Sequence, residues 1–436
     1  MQVKKLVKIA VAVAVALHIA DAQAASYQLN DYSVSNLGRS YAGQGIMGDD
    51  YSAIAYNPAG MTLMKRSGVQ QAFNMINVKS DVHGLDGYSG QKGKMDFWQP
   101  MPAGFAQYNV NDKLFLGGGI YAPFGLKTEY KSDWFGKEAA ILSKLAIVDF
   151  NLSAAYKIDQ HWSVGASAIL RYIYGRMTQK IPTVTLPPGT VSPASVTTGG
   201  GDINFNVNTW SQTAALGLMY EVNENTRFGA SYRLRSAQRA KGKFKMSGIQ
   251  NEEVLAMLNM PYLKNGATDV RANPDLPETV TFSAYHRYKK FGFSGTARWT
   301  HWTSSFPDFT IYSESLPNGQ KTSYYKYKNS WTLAAGVDYY YCKNLTFRFG
   351  GAWDESPNNG AKRRTIRIPD SDRWWMSVGA SYMKNNWQVD VGYAHLIAKT
   401  GKSYEDDGLG GKTTPVHAKF KNTQSNILGV QLQYKF

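Results

Sequence analysis

The ten residues ILGVQLQYKF (427–436) decide the fold. Leu428, Val430, Leu432, Tyr434 and Phe436 fall on one face, and Gly429, Gln431, Gln433 and Lys435 on the other. A period of two means a strand with one apolar face. The same alternation occurs at Trp387–Tyr393, Trp374–Tyr382, Trp331–Tyr339, Phe347–Phe349, Phe291–Trp299 and Phe228–Leu234. Further back it returns at Trp162–Tyr174 and Phe150–Tyr156. Between residues 68 and 436 the pattern predicts about 14 strands, an even number.

The connections between these strands alternate in length. Short turns fall at Asn111-Asp112, Asp159-Gln160, Asn223-Glu224-Asn225, Lys289-Lys290, Lys343-Asn344 and Asn385-Asn386. Long loops fall near 80–94, 123–146, 179–205, 245–276, 312–322, 354–370 and 400–420. Short turns on one side and long loops on the other mark a bacterial outer-membrane barrel. Trp162, Trp299, Trp331 and Trp387, near strand ends, suit interfacial girdles. A secreted sandwich or β-helix does not account for this one-sided bias. The predicted fold is therefore all-β, a transmembrane antiparallel barrel of residues 68–436 located in the outer membrane of a Gram-negative cell.

Residues 1–24 read as a secretory signal peptide. Lys4, Lys5 and Lys8 precede an apolar stretch from Ile9 to Ala20, followed by Ala22-Gln23-Ala24 at a small-residue cleavage site. That stretch is shorter than the roughly 20 residues a spanning helix needs. The mean hydropathy of −0.37 fits a barrel, whose strands turn only alternate residues to lipid. The net charge is +16; loss of three lysines and one aspartate with the leader leaves +14. The basic residues are spread without a dense cluster, which argues against nucleic acid and leaves lipid phosphates or acidic solutes as partners. One cysteine, Cys342, excludes an internal disulfide and a cysteine-based metal site.

Residues 25–67 lack sustained alternation and are rich in Gly, Ser, Ala, Tyr and Asn. A lumen of about 14 strands is too wide for side chains alone to fill, so this segment is expected to fold inside it as a hatch. Two loop pieces have helical spacing, Glu252 to Met260 and Ser132 to Lys144. No H-E-x-x-H or G-x-S-x-G occurs; no catalytic residue, metal ligand or cofactor is assigned, and the chain is read as a non-enzyme.

Strand parity selects the lumenal cations. With Trp331 and Leu333 facing lipid, Lys326 and Lys328 point inward, as do Arg171, Arg233, Arg235, Arg298, Arg348 and Arg373. Asp338, Asp390 and Glu221 share that parity, so a ladder of lumenal ion pairs accounts for most of the set. Lys326 and Lys328 are the candidates for an anionic headgroup, with Arg171 and Arg176 behind them. Gly117-Gly118-Gly119 interrupts a strand, as either a kink in the wall or a close approach of the inner segment.

Four stretches then resemble one family, the FadL-type outer-membrane transporters of long-chain fatty acids, which include aromatic-hydrocarbon channels. They are YQLNDYSVSNLGRSYAGQG (27–45), Tyr56-Asn57-Pro58-Ala59, Tyr339 through Phe347-Arg348 to Pro357, and IPDSDRWW (368–375). The resemblance implies a monomeric barrel with a hatch centred on Asn57, Pro58 and Ala59. It implies a loop groove contacted by Trp134, Phe135, Ile141 and Leu142, and a kinked strand holding Gly117 to Gly119. The implied function is passive, ligand-gated uptake of a hydrophobic small molecule, most simply a long-chain fatty acid, past the hatch and out through the wall. The barrel's other partners would be outer-membrane lipid and lipopolysaccharide. An aromatic-hydrocarbon channel, or a surface adhesin on a barrel pedestal, is the alternative. The 179–205 loop departs from the pattern, offering only Val184, Leu186, Val191 and Val196. Lys180 or Arg176, and Lys321, Lys326 or Lys328, could fill the family's cation positions.

Overall fold

The structure is a computed structural model that describes residues 27–190, 192–305, 308–405 and 416–436, with the side chains of Pro317 and Glu405 left aside. The leader expected over residues 1–24, and Val191, lie outside these. The barrel strands are β1 (Gly68–Gly84), β2 (Lys92–Asn109), β3 (Leu114–Glu129), β4 (Leu142–Lys157) and β5 (Trp162–Lys180). They continue with β6 (Asp202–Asn223), β7 (Thr226–Arg233), β8 (Thr279–Tyr288), β9 (Phe291–Thr300) and β10 (Ser330–Cys342). The last four are β11 (Leu345–Asp354), β12 (Arg373–Lys384), β13 (Trp387–Ala398) and β14 (Val416–Lys435). Each pairs antiparallel with the next, and β14 returns to β1 from Gly68↔Lys435 up to Gly84↔Ala418. Among the described residues this is a closed barrel of fourteen strands with extra hairpins in its loops.

Alternation sets inside from outside. On β14, Leu428, Val430 and Leu432 are 51%, 57% and 44% exposed on the outer wall, while Gln431 and Gln433 are fully buried. The short turns are built by their own side chains. Asn111, Asp159 and Asn223 each accept two backbone N–H bonds from residues two and three further on, the Asx geometry that favours a tight reversal. Lys289 and Asn385 take φ of 53° and 55° in two other turns, as two-residue hairpins require.

At the other end the strands overshoot the membrane. β1, β2, β5, β6 and β14 run 17, 18, 19, 22 and 20 residues, against about 10 needed to span. Much of the sequence expected as loop is thus strand. The hairpins Ala240–Ser247 with Gly266–Ala272 and Phe309–Tyr312 with Gln320–Ser323 extend the wall further, while Thr183–Leu186 with Val196–Gly199 forms a separate two-stranded sheet. A helix forms at Glu252–Met257. The helix expected at Ser132 to Lys144 does not: residues 132–139 are turns, and β4 begins at Leu142. Trp134 folds back to stack on Tyr130 with ring centres 3.9 Å apart, its Nε1 donating to the Ala140 carbonyl, while a Cβ on Gly136 would lie 2.5 Å from that indole.

Residues 27–64 are almost wholly buried and press on the barrel's inner face. They carry α1 (Val34–Leu37), capped by Ser33, α2 (Ala53–Tyr56) and a 3-10 turn Pro58–Leu63. The wall makes room with glycine. A Cβ on Gly350 would lie 2.1 Å from the Arg39 backbone, and Gly336, Gly379, Gly392 and Gly429 give the same clearance to Gly38, Arg39, Val34 or Leu37. Buried ions then fasten the contact. Arg39 reaches Asp49 at 2.7 Å and Asp338 at 3.1 Å, and Arg348 reaches Asp49 at 3.1 Å. Burial works against the Asp49 charge, yet the two guanidiniums hold its carboxyl well below the usual carboxylate range. Removing one partner of such a set costs about 3–5 kcal/mol.

Gly350→Leu therefore unseats the inner segment without preventing barrel closure. Folded, heat-modifiable protein is expected, with faster amide exchange across 34–43 and a clear rise in single-channel conductance over wild type. Unchanged exchange and conductance would show that the segment is not held by this belt.

Candidate functional site

A mostly apolar pocket, a cavity of about 80 Å³, lies inside the barrel above the inner segment. That is smaller than the roughly 300–1,000 Å³ of a small-molecule site, so a ligand would have to move lining side chains aside. Tyr27 comes from the inner segment, Leu126 and Leu145 from β3 and β4, Ile173 and Met177 from β5, and Phe205 and Val207 from β6. Phe309, Tyr325 and Ile368 close it from the loops. Tyr27, Leu126, Ile173, Tyr325 and Ile368 belong to one buried cluster that also holds Trp302 and Phe124.

The pocket's polar members are few. Arg367 donates to Ser143 Oγ at 3.1 Å and to Gln179 Oε1 at 2.5 Å. Arg176 also lines the pocket; no ion pair or hydrogen bond is found for it among the described residues, and its buried Nε lacks a partner. Lys144 sits directly across the β4–β5 ladder from it. Like charges opposite one another on a sheet repel; Lys144 and Arg367 have partners of their own, which sets Arg176 apart.

Below the pocket, Asn57-Pro58-Ala59 occupies a seat made by three neighbouring strands. A Cβ on Gly165 would fall 2.5 Å from Ala59 N, and one on Gly217 2.1 Å from Asn57 Oδ1. A Cβ on Gly229 would meet Ile46 at 2.4 Å. Asn57 Oδ1 accepts from Ala59 N, while its Nδ2 donates to the carbonyls of Leu218 and Ala230. Pro58 starts the 3-10 turn, where its missing N–H is no loss.

The wall beside the pocket contains a seam. β2 and β3 pair only from Gly104↔Ile120 to Asn109↔Phe115, although β2 stays paired with β1 up to Lys92. One extra residue shifts the β3–β4 register between Tyr121 and Phe124, where Ala122 and Pro123 stand. Past this bulge β3 bonds instead to the inner segment. Leu29 N donates to the Pro123 carbonyl and Gly125 N to the Tyr27 carbonyl, both at 2.8 Å. Side chains alone cross the seam: Phe105 stacks on Tyr121 with ring centres 5.7 Å apart, and Lys127 Nζ lies 4.8 Å from the Phe97 ring centre.

Residues 15–436 match the family model described as outer membrane protein transport protein (OMPP1/FadL/TodX). The chain belongs to this family. It is similar to the long-chain fatty acid transport protein of Escherichia coli O6:H1, with 30% identity over 425 residues, 92% of this chain and 93% of that protein. In fold it is similar to a Pseudomonas aeruginosa FadL homologue, with a TM-score of 0.82 at 21% identity, covering 94% of this chain and 99% of that one. It is also similar to the Ralstonia pickettii toluene transporter TbuX, with a TM-score of 0.63 at 20% identity over 92% of this chain and 100% of the other. The protein is thus an outer-membrane transport barrel and not an enzyme. No helix among its described residues is long and apolar enough to cross a membrane, and no cluster of metal-ligating side chains occurs there.

Within this OMPP1/FadL/TodX barrel the residues singled out from sequence fall in different places. Lys326 and Lys328 do not point inward. They are exposed on an irregular stretch before β10 and pair with Asp308 and Glu355 at 3.2 and 2.5 Å. Lys326 takes φ of 48°, the alternation breaks before Ser330, and Tyr325 and Tyr327 turn inward instead. Arg171 is inward but fully engaged by Asp149, at 2.6 and 2.9 Å, and Asp149 also takes Arg233. Arg235 is exposed against Asp275.

Trp134 and Phe135 are away from the pocket, packed with Val82, Met95 and Phe420 on the extracellular ends of β1, β2 and β14. Ile141 and Leu142 are half-buried at the start of β4, and neither lines the pocket. Val184 is exposed on its hairpin, and the two segments meet at the base of that hairpin, where Lys180 N donates to the Lys137 carbonyl and Gln179 Nε2 to the Glu138 carbonyl, both at 2.9 Å. Gly117 to Gly119 are regularly paired on both sides, and the kink follows them at Ala122-Pro123. Gly117 admits Ile54 and Met61 of the inner segment, and Gly119 the Phe105 ring. Sequence reading did not single out Phe309, Tyr325, Arg367 or Pro123. The X-Pro at Ala122-Pro123 was the available signal for the kink, because a proline cannot donate to a ladder.

One titrating group bears on the inner segment. Burial pushes the Asp31 carboxyl up to about 6, against the pull of its Tyr41 hydrogen bond and of Arg373. Among the described residues its Oδ2 has no hydrogen-bond partner, so a proton there relieves a bare buried oxygen. A carboxyl whose pKa is raised on folding stabilises below its unfolded pKa and loses that contribution as pH rises through the folded value. Amides of residues 27–41, corrected for intrinsic rates, should exchange more slowly at pH 5 than at pH 7.5. In Asp31→Asn the difference should shrink; an equal pH dependence in the variant would assign it to another group.

Proposed function

We propose that this barrel takes up hydrophobic molecules with an anionic head, a long-chain fatty acid being the simplest. The observation that carries the reading is an apolar pocket with one unengaged cation, Arg176, at its wall. Apolar burial contributes about 0.8 kcal/mol per methylene, and a charge-assisted bond from the guanidinium fixes the carboxylate. Arg367 and Lys144 supply further positive potential. Similar proteins include a long-chain fatty acid transport protein and a toluene transporter. The aromatic lining from Tyr27, Phe205, Phe309 and Tyr325 favours a neutral aromatic hydrocarbon as the second reading.

Residues 27–64 act in this proposal as the hatch. Tyr27 lines the pocket, and Tyr27 to Leu29 complete the pairing of β3 beyond its bulge. A ligand that displaces Tyr27 therefore loosens β3 on its inner side. The β2–β3 seam, closed by side chains alone, then offers a way sideways into the membrane. No energy source is needed beyond the concentration gradient.

Two experiments test this. Palmitate, methyl palmitate and toluene are titrated into the purified barrel and into Arg176→Ala. The acid should weaken about ten- to a hundredfold, matching the roughly 1.5–3 kcal/mol of a charged hydrogen bond, with the ester little changed. Equal loss for acid and ester, or preference for toluene in wild type, would turn the assignment to hydrocarbon. Separately, deletion of Pro123 removes the bulge and restores the β3–β4 register. Palmitate uptake by cells should fall at least tenfold while binding to the purified barrel persists. Undiminished uptake would exclude the seam as exit.

A further inference from the structure

The outer wall carries a strip of cations that transport does not use. Above the aromatic girdle, the strand Gly401–Glu405 pairs with β14, β14 with β1, and β1 with β2. Reading straight across these four strands gives Lys402↔Lys419, Lys419↔His83 and His83↔Lys92. The row beneath is Lys421↔Asp81↔Lys94. The bulge at Asn422 brings Lys419 and Lys421 outward, since Ala418 and Phe420 are buried. The nearby acids are already engaged: Asp96 by Lys79 and Lys94, Asp81 by Asn422, and Asp86 by His417. Lys92, Lys402, Lys419 and Lys421 have no ion pair or hydrogen bond among the described residues.

Directly opposed like charges cost stability in a sheet, so a strip of this kind implies anions between them. Its height says which anions. The lower girdle is at Val69, paired with Tyr434, on which Trp387 packs with ring centres 4.6 Å apart. His83 lies fourteen residues further along β1. At about 3.3 Å per residue and a tilt near 40°, it stands about 35 Å above that girdle. The apolar band is about 25 Å tall, so the strip sits about 10 Å beyond the hydrocarbon, at headgroup level. Trp98, 53% exposed on β2 below it, offers an apolar surface to acyl chains.

We propose that this strip, centred on Lys92, Lys402 and Lys419, binds the phosphate groups of lipid A, the phosphorylated glucosamine headgroup of lipopolysaccharide. The lysines face the membrane from the wall rather than the medium from loop tips. The site rests on the outer-membrane setting of the barrel and not on what the lumen carries.

The test uses the full barrel in detergent, with bisphosphorylated lipid A, phosphate-free lipid A and cardiolipin as probes, followed by native mass spectrometry. Wild type should retain bisphosphorylated lipid A at least tenfold better than either other lipid, and should release it in high salt. Lys92→Gln/Lys402→Gln/Lys419→Gln should lose that preference, and the corresponding triple arginine variant should keep it. Heat-modifiable mobility checks folding, and the single variants Lys402→Gln and Lys419→Gln, each expected to weaken retention severalfold, replace the triple if it fails to fold. Palmitate binding should be the same in all, which separates this site from the lumenal one. Retention by the glutamine variants within twofold of wild type, or equal retention of phosphate-free lipid A, would overturn the proposal; equal retention of cardiolipin would assign the strip to anionic phospholipid instead.

Discussion

Every backbone N–H and C=O at membrane depth must find a partner within the protein, because hydrocarbon supplies none. This constraint closes β14 onto β1 and makes the barrel. Fourteen strands then enclose a lumen that wall side chains cannot fill. The N-terminal segment fills it, and its own polar backbone must be satisfied in turn. Short helices, a 3-10 turn and the buried set around Asp49, Asp338, Arg39 and Arg348 do so. The wall glycines follow from the same demand. Where a backbone must lie against a strand, as Arg39 does at Gly350, there is no space for a Cβ.

The wall was legible in the sequence because each of its strands solves one problem. A residue facing lipid must be apolar and its neighbour need not be, so β14 declares its orientation residue by residue. The turns were legible for a local reason as well: Asn111, Asp159 and Asn223 bond their own backbones. The lumenal arginines Arg298, Arg348 and Arg373 also followed from parity, and all three are buried.

Parity failed where regular pairing ends. Lys326 and Lys328 belong to a stretch without ladder bonds, and a positive φ at Lys326 reverses which neighbours face inward. Trp134 and Phe135 pack under Val82 and Phe420 because β1 and β14 extend beyond the hydrocarbon, and strand overshoot leaves no mark distinct from loop polarity. The pocket was hidden for a different reason. Its lining is drawn from the inner segment, four strands and three loops, so no short run of sequence contains it. Arg176 could be named but not distinguished from its paired neighbours, since what sets it apart is the absence of a carboxylate opposite.

The seam shows how one constraint can be relaxed without breaking the barrel. β2 keeps its bonds to β1 from Lys92 to Gln107, but above Gly104 it has no β3 partner. An open edge in hydrocarbon is costly for each bare donor. Three prolines stand along this edge, Pro100 and Pro102 on β2 and Pro123 on β3, and a proline has no N–H to leave unsatisfied. Phe97, Met101, Phe105 and Tyr121 cover the gap with apolar bulk. Contacts of that kind separate without breaking hydrogen bonds, whereas every other interface of the wall would have to lose a ladder. In the proposed uptake route, this seam is where a greasy molecule would pass between strands without breaking a ladder.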